Sequence, residues 1–344
     1  MDKKNYFKYK SWKYKLMENM ELLIEHPIEE PKHLYKYYPP TKYSLDGVLK
    51  NYLFPNHPYR FNDSMDTNNL LWDFKKMTKE LHDGFYETYG ILDDQYVPYE
   101  DGSVSNFNNF RHNFHDWITA RIGLISLTST PLNVLMWSHY STEKGFMIGL
   151  DHEILENKKY ALNPDLANIP IYPINYVEQL EKMEMFTEGL NSPVIPFLYI
   201  ASVKNKAWEY ENEWRIATMT MPGKVYDIPH SIIMPIKDIK GNIDRKLNYP
   251  KEALKMVVLG KYFFNGSNLK NFSLDKKENG IYELKDIKTY SFLKYLSELK
   301  NCEIFQSGEL EQKSKFKRSA ELVVFEFPNK MEVKVIPQGR GFQE

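Results

Sequence analysis

The stretch KNKAWEYENEWRIATM, Lys204–Met219, sets six ionised side chains, Glu211, Glu213 and Arg215 among them, beside large aromatic residues and ends in a run of strand-forming type. If it is extended from Tyr210 onward, side chains alternate between two faces. Glu211, Glu213 and Arg215 then share one face, and Tyr210, Trp214 and Ile216 the other. The charged face is either the wall of a cleft or the wet side of an edge strand. Exposed ion pairs are common and stabilise little, whereas large rings beside carboxylates occur in ligand clefts and in cores alike.

Working outward, other short runs read as strands: LYKYY (Leu34–Tyr38), stopped by Pro39 and Pro40; IGLISLT (Ile122–Thr128); GFMIGLD (Gly145–Asp151); IPIYPINYV (Ile169–Val177); and ALKMVVLG (Ala253–Gly260). LVVFEF and MEVKVIP add two more near the end, while GELEQKSKFKRS (Gly308–Ser319) reads as a solvated loop. Helical spacing appears in a segment capped by Ser44 with Leu45, Val48, Leu49 and Tyr52 on one face. It recurs in FNNFRHNFHDWITAR, whose Phe110, Phe114, Trp117 and Ile118 share a face. A helix starting near Pro193 and Pro196 runs toward Lys206, and a late one carries Phe292, Tyr295, Leu296 and Leu299. Strands and helices alternate without the regular βαβ spacing of a doubly wound sheet. The predicted fold is therefore α+β, a mixed or mainly antiparallel sheet flanked by helices. Residues 1–33 are expected as a helical N-terminal extension and 34–344 as a single α+β domain, with a sub-boundary near 260.

Among 344 residues the net charge is −1, so no global field draws in nucleic acid or an anionic membrane; such binding would need a local patch. One cysteine, Cys302, excludes an intrachain disulfide and any multi-cysteine metal site, and it fits a reducing, cytoplasmic location. The charged N-terminus lacks a signal-peptide core, and no apolar run approaches the roughly 20 residues that span a bilayer, so no membrane association is expected.

The motifs of P-loop nucleotide hydrolysis, zincin chemistry and α/β-hydrolase acyl transfer are absent. His112 and His115 stand three apart on a helix, but no carboxylate pattern completes a ligand set, so they read as helix surface and no metal is expected. In NVLMWSHYSTEKGFMIGLD, Trp137, His139 and Tyr140 cluster before a strand. His139 can shuttle a proton near neutral pH; alternatively Trp137 packs in the core and His139 donates to a carbonyl.

LYKYY, RFNDSMD, IGLISLT, LMWSHYSTEKGFMIGLD, KNKAWEYENEWR and LKMVVLG, in that order, resemble a bacterial family catalogued as domain of unknown function 2971, over roughly residues 34 to 326. The resemblance implies a bacterial setting and a role in conflict with phages, as a defence protein or toxin. A second, weaker resemblance is to ADP-ribosyltransferases with an early basic residue, a hydroxyl-rich strand and a late Glu-x-Glu. Lys36 in LYKYY, Ser126, Thr128, Ser129 and Thr130 in SLTST, and Glu211 with Glu213 follow that order, although lysine replaces the expected arginine and SLTST is not a clean serine-threonine-serine.

That second resemblance implies NAD as co-substrate. Cleaving the nicotinamide–ribose bond develops positive charge on the sugar, which a fixed carboxylate stabilises. Glu213 is the candidate for that role, with Glu211 orienting or deprotonating the attacking group and Arg215 favouring ionised Glu213. Lys36 would hold a phosphate, with Tyr35, Ser126, Trp137, Lys204 and Arg215 as further candidates for binding the dinucleotide. Two alternatives stand beside this. One is a metal-independent nuclease or hydrolase using His139, with Lys204 and Arg215 neutralising phosphate. The other is a non-catalytic sensor or module that binds a protein partner through its aromatic cluster.

Overall fold

The computed structural model describes residues 6–17, 22–89, 98–100, 104–158, 162–167, 170–185, 194–220, 225–226, 242–243, 245–264, 274–276, 280–312 and 315–342. The chain opens with three strands, β1 (Tyr6–Tyr9), β2 (Trp12–Leu16) and β3 (Leu22–Glu25), paired antiparallel in sequence order. This corrects the helical lead-in expected for residues 1–33. Trp12 and Tyr14 alternate with lysines and, with Leu22 and Ile24, bury one face. Period-two burial and aromatic β-preference override the chain's charge. Lys10 takes the left-handed conformation (φ 54°) that turns β1 into β2.

A twelve-stranded sheet forms the body of the molecule. Its members used below are β4 (His33–Tyr38), β5 (Ile122–Thr128), β6 (Phe146–Asp151), β7 (Ile171–Pro173), β8 (Glu213–Thr220) and β9 (Leu254–Leu259). They continue with β10 (Leu274–Lys276), β11 (Ile281–Leu284), β12 (Glu303–Gln312), β13 (Lys315–Glu326) and β14 (Glu332–Phe342). The order is β7-β8-β5-β4-β6-β9-β12-β13-β14-β11-β10. Neighbours are antiparallel except β9 with β12, so the fold is α+β with a mixed, mainly antiparallel sheet. Gly308–Ser319, expected as a loop, lies mostly in the β12–β13 hairpin, whose register places Glu309 opposite Arg318. Backbone pairing makes no demand for apolar side chains, so a polar run can form a ladder as well as a loop.

Helix α1 (Lys42–Leu49) starts earlier than expected: Thr41, rather than Ser44, is the cap, and its side chain accepts from the Ser44 N–H at 3.2 Å. Helices α2 (Val104–Thr119), α3 (Val194–Ser202) and α4 (Ile287–Ser297) follow the predicted spacing. Leu34, Ile125, Leu127, Ile148, Leu150, Trp214 and Ile216 pack with α4 in one core. The opposite face carries two separate clusters. One joins Phe110, Phe114 and Ile118 of α2 to α3 and the N-terminal sheet; the other gathers Tyr35, Tyr37, Trp137, Met147 and Val258. Among the described residues no helix is long and apolar enough to cross a membrane.

The sheet opens between β4 and β5. These strands share a single bridge, Tyr35 to Thr128. Further along β5, Leu124 exchanges both backbone hydrogen bonds with Asn56 instead. Between the two, no β4–β5 pair forms among the described residues, and the Ser126 carbonyl accepts from the Lys36 ammonium at 3.1 Å. A side chain thus takes the place of a ladder N–H, meeting the need of a partly buried carbonyl for a donor.

On the far edge of β4 the packing is tight. A Cβ on Gly145 would stand 1.9 Å from the Tyr38 carbonyl oxygen, and one on Gly260 2.4 Å from that of Glu143. Both obstacles are backbone. Gly145→Ala should therefore destabilise the protein by about 3 kcal/mol or more, read as a lowered urea midpoint. An unchanged midpoint would show that the β4–β6 junction is looser than drawn.

Candidate functional site

Glu211, Glu213 and Arg215 are not on one strand. Lys206–Glu211 forms a 3₁₀ turn capped by Asn205, whose Oδ1 accepts from the Ala207 N–H at 2.9 Å. Asn212 then takes φ 42°, a left-handed geometry that asparagine tolerates well, and β8 begins at Glu213. The exit of the turn is pinned to β5: Thr128 Oγ1 donates to the Glu211 carbonyl at 2.6 Å, and the Ser129 N–H to that of Asn212 at 3.1 Å. Glu213 and Arg215 do share a face, opposite Trp214 and Ile216. That strand lies inside the sheet, and all three charged residues are buried, Arg215 to 1% exposure. The edge-strand alternative is thereby excluded.

These charges form one network. Arg215 Nε donates to Glu213 Oε1 at 2.8 Å, and its Nη1 to Asp66 Oδ1 and to the Ala201 carbonyl, both at 2.8 Å. Its Nη2 reaches the other Asp66 oxygen and Glu213 Oε2. Lys204 Nζ donates to Glu211 Oε2 at 2.6 Å and Glu213 Oε2 at 3.1 Å. Tyr140 OH donates to Glu211 Oε1 at 2.5 Å, and Tyr176 OH receives the Glu213 N–H at 2.9 Å. Burial pushes the Glu213 carboxyl up, but Arg215, Lys204 and hydrogen bonds from Arg215 and Ser126 outweigh it and hold the group at about 2. For Asp66 burial wins over the Arg215 charge, Glu213 adds repulsion, and its pKa is raised. Burial and the Glu211 charge push the Tyr140 hydroxyl up, so it stays protonated as a donor.

The network lines one wall of a cavity of about 320 Å³ in the gap between β4 and β5. Tyr35, Lys36, Ser126, Lys204, Glu211 and Glu213, all expected from sequence, meet there. Lys36 is half-buried; burial lowers its ammonium to about 8 against the pull of Glu213. Among the described residues, neither Lys36 nor Arg60, which also lines the cavity, pairs with a carboxylate. Arg215 lies one layer behind the wall. Two further expected residues, like Arg215, are not in the cavity lining. Trp137 is fully buried, donates its indole N–H to the Pro131 carbonyl at 3.2 Å and packs edge-on to Tyr37. His139 is exposed, on the π-helical turn Trp137–Ser141. His112 and His115 instead contact Asn69 and the Thr67 carbonyl. Among the described residues no group of three His, Cys, Asp or Glu side chains is placed to hold a metal.

Asp66 and Tyr140 were not expected as site residues. Asp66 meets Arg215 across 149 positions of chain, a pairing no local pattern encodes. The available hint was RFNDSMD itself, which supplies Arg60, Phe61, Asn62 and Asp66 to the cavity.

Residues 136–216 match the model of a family described as protein of unknown function (DUF2971), the family whose likeness the MWSHY and KNKAWEYENEWR stretches carry. The match contains the π-helical turn, Lys204, both glutamates and Arg215. No curated protein and no solved structure matches the chain.

Removing the guanidinium strands two buried carboxylates. Arg215→Gln should lower stability by about 3–5 kcal/mol in chemical denaturation. The Glu213 carboxyl, depressed to about 2, contributes stability that is present above its ordinary value near 4.3 and is lost as pH falls through 2. In Glu213→Gln that acid-limb loss should shrink; an identical acid profile in both proteins would mean that Glu213 is not held ionised.

Proposed function

We propose that the cavity between β4 and β5 is the active site of an enzyme that cleaves the nicotinamide–ribose bond of NAD and passes ADP-ribose to water or to another acceptor. The observation that supports this most is the meeting of an ionised, immobilised Glu213 with a half-buried Lys36 that pairs with no carboxylate among the described residues, in one cavity of ligand size.

In this chemistry the C–N bond to nicotinamide breaks and the ring leaves as a neutral molecule with the bonding pair. The ribose carbon carries positive charge until water or an acceptor hydroxyl adds and gives up a proton. A carboxylate already ionised and fixed by two cations suits the electrostatic part, because its dipoles need not reorganise when charge develops. Glu213 is too weak a base to take the proton, being held at about 2. Glu211 serves that step: it faces the same cavity and is oriented by Tyr140 and Lys204. Lys36 and Arg60 supply positive charge for the diphosphate, Lys36 as a point charge and Arg60 as a fork. Tyr35 and Ser126 shape the wall between them.

His139 is exposed and lies outside the lining of this cavity, which supports the glutamates rather than the imidazole as its chemical groups. Placed in the phage-conflict setting that the family likeness implies, NAD cleavage would deplete the cofactor pool of an infected cell.

Purified protein should release nicotinamide from NAD. Glu213→Gln should lower kcat by about 10²–10³-fold, whereas His139→Ala should leave kcat unchanged. Undiminished turnover in the Glu213 variant, or nuclease activity lost with His139, would overturn the assignment.

A further inference from the structure

A cavity of about 320 Å³ lies at the small end of the roughly 300–1,000 Å³ occupied by small-molecule sites. It can enclose about a mononucleotide, so a dinucleotide must extend past the mouth. Beside the cavity runs a row of rings. Tyr140 lines the cavity; the His139 ring lies 6.4 Å from it, the Tyr210 ring 6.4 Å from His139, and Trp208 6.2 Å from Tyr210. At the far end of the row, Lys204, itself a cavity residue, places its ammonium 4.8 Å from the Trp208 ring centre. His139 is exposed, and Tyr210 and Trp208 are half-buried, so the row is in part open to solvent.

The row is built rather than incidental. Its two halves come from the π-helical turn and from the 3₁₀ turn, and Asn133 joins them by donating its side-chain N–H to the Tyr210 carbonyl at 2.8 Å. The same asparagine caps the helix leading into the π turn. Tyr210 is the neighbour of Glu211, and His139 of Tyr140, so these two rings are fixed to cavity residues by the chain itself. The charges nearby do not suit a polyanion: Glu209 is exposed there, and Lys206 is taken up by Glu178. A flat, uncharged ring is the better fit.

We infer that Tyr210 and Trp208, inclined 33° to each other, form an external stacking shelf for the adenine end of the dinucleotide, with His139 edge-on to Tyr210 at 76° as its side, while the nicotinamide half enters the cavity. The shelf rests on the assignment of the cavity as the NAD site. Its residues are positioning residues for binding and take no part in bond cleavage. Stacking of a base on an aromatic side chain is tolerant of base identity, so the shelf should accept other purine dinucleotides as well.

The test is calorimetric titration of two probes, NAD and nicotinamide mononucleotide, into the wild type, His139→Ala and Tyr210→Leu, the latter keeping apolar bulk while removing the ring. Each variant should weaken NAD roughly tenfold and leave the mononucleotide within about twofold. In turnover, KM for NAD should rise with kcat unchanged. Equal weakening of both probes, or unaltered NAD affinity in both variants, would refute the shelf while leaving the cavity assignment standing. If the probes separate as expected but no nicotinamide is released, the shelf stands and the catalytic assignment fails. A wild type that binds neither probe removes both.

Discussion

A guanidinium at 1% exposure cannot persist without partners, and Arg215 acquires them from its own strand and from two other parts of the chain. Asp66 comes from the loop after the 3₁₀ turn Pro58–Arg60, the Ala201 carbonyl from the end of α3, and Glu213 from the same strand. The contacts to Asp66 and Ala201 are therefore also tertiary joints. The loop carrying Asp66 brings Arg60 and Phe61 with it, and the Arg215 guanidinium lies 5.1 Å from the Phe61 ring. Two carboxylates around one cation leave an excess of negative charge, which Lys204 offsets, and Lys204 in turn recruits Glu211. Three carboxylates then face two buried cations, and burial, with added repulsion from Glu213, raises the Asp66 pKa despite its bidentate partner. The cavity wall follows from satisfying one buried arginine.

The opposite wall follows from an unfinished strand pairing. An antiparallel pair normally satisfies its carbonyls by its ladder. Here β4 and β5 touch once and then part, leaving strand backbone beside a space large enough for a ligand. Asn56 closes one end of the gap and the Tyr35–Thr128 bridge the other. Lys36 occupies the middle, where its ammonium both stabilises a carbonyl and remains available to an anion. Its amine is easier to deprotonate than usual because the site is partly desolvated.

Much of this was legible in the sequence. Strand segments with alternating or continuous apolar residues were placed well, because burial of both sheet faces leaves a clear pattern. The cavity lining was half legible: residue types at Lys36, Ser126, Glu211 and Glu213 suggested chemistry, and topology set three of these four on neighbouring strands. What failed had physical causes. A strand rule applied through Asn212 missed the left-handed turn that rotates Glu211 out of the Glu213 register. The N-terminal strands were hidden by their lysines, which point outward between buried Trp12 and Tyr14. Trp137 looked like a ligand residue because aromatic type alone does not separate a wall from a core.

Buried ion networks seldom exceed a well-packed apolar core in stability, since desolvation consumes much of the Coulomb gain. Five ionisable groups beside an open cavity are thus poorly explained by stability alone. In the proposed NAD chemistry their geometry would divide two tasks between two carboxylates. Glu213, held ionised by Arg215 and Lys204, would present the constant negative charge. Glu211, bonded to Lys204 and to protonated Tyr140, would take the proton. The left-handed turn at Asn212 lets acidic residues two positions apart stand in different electrostatic surroundings.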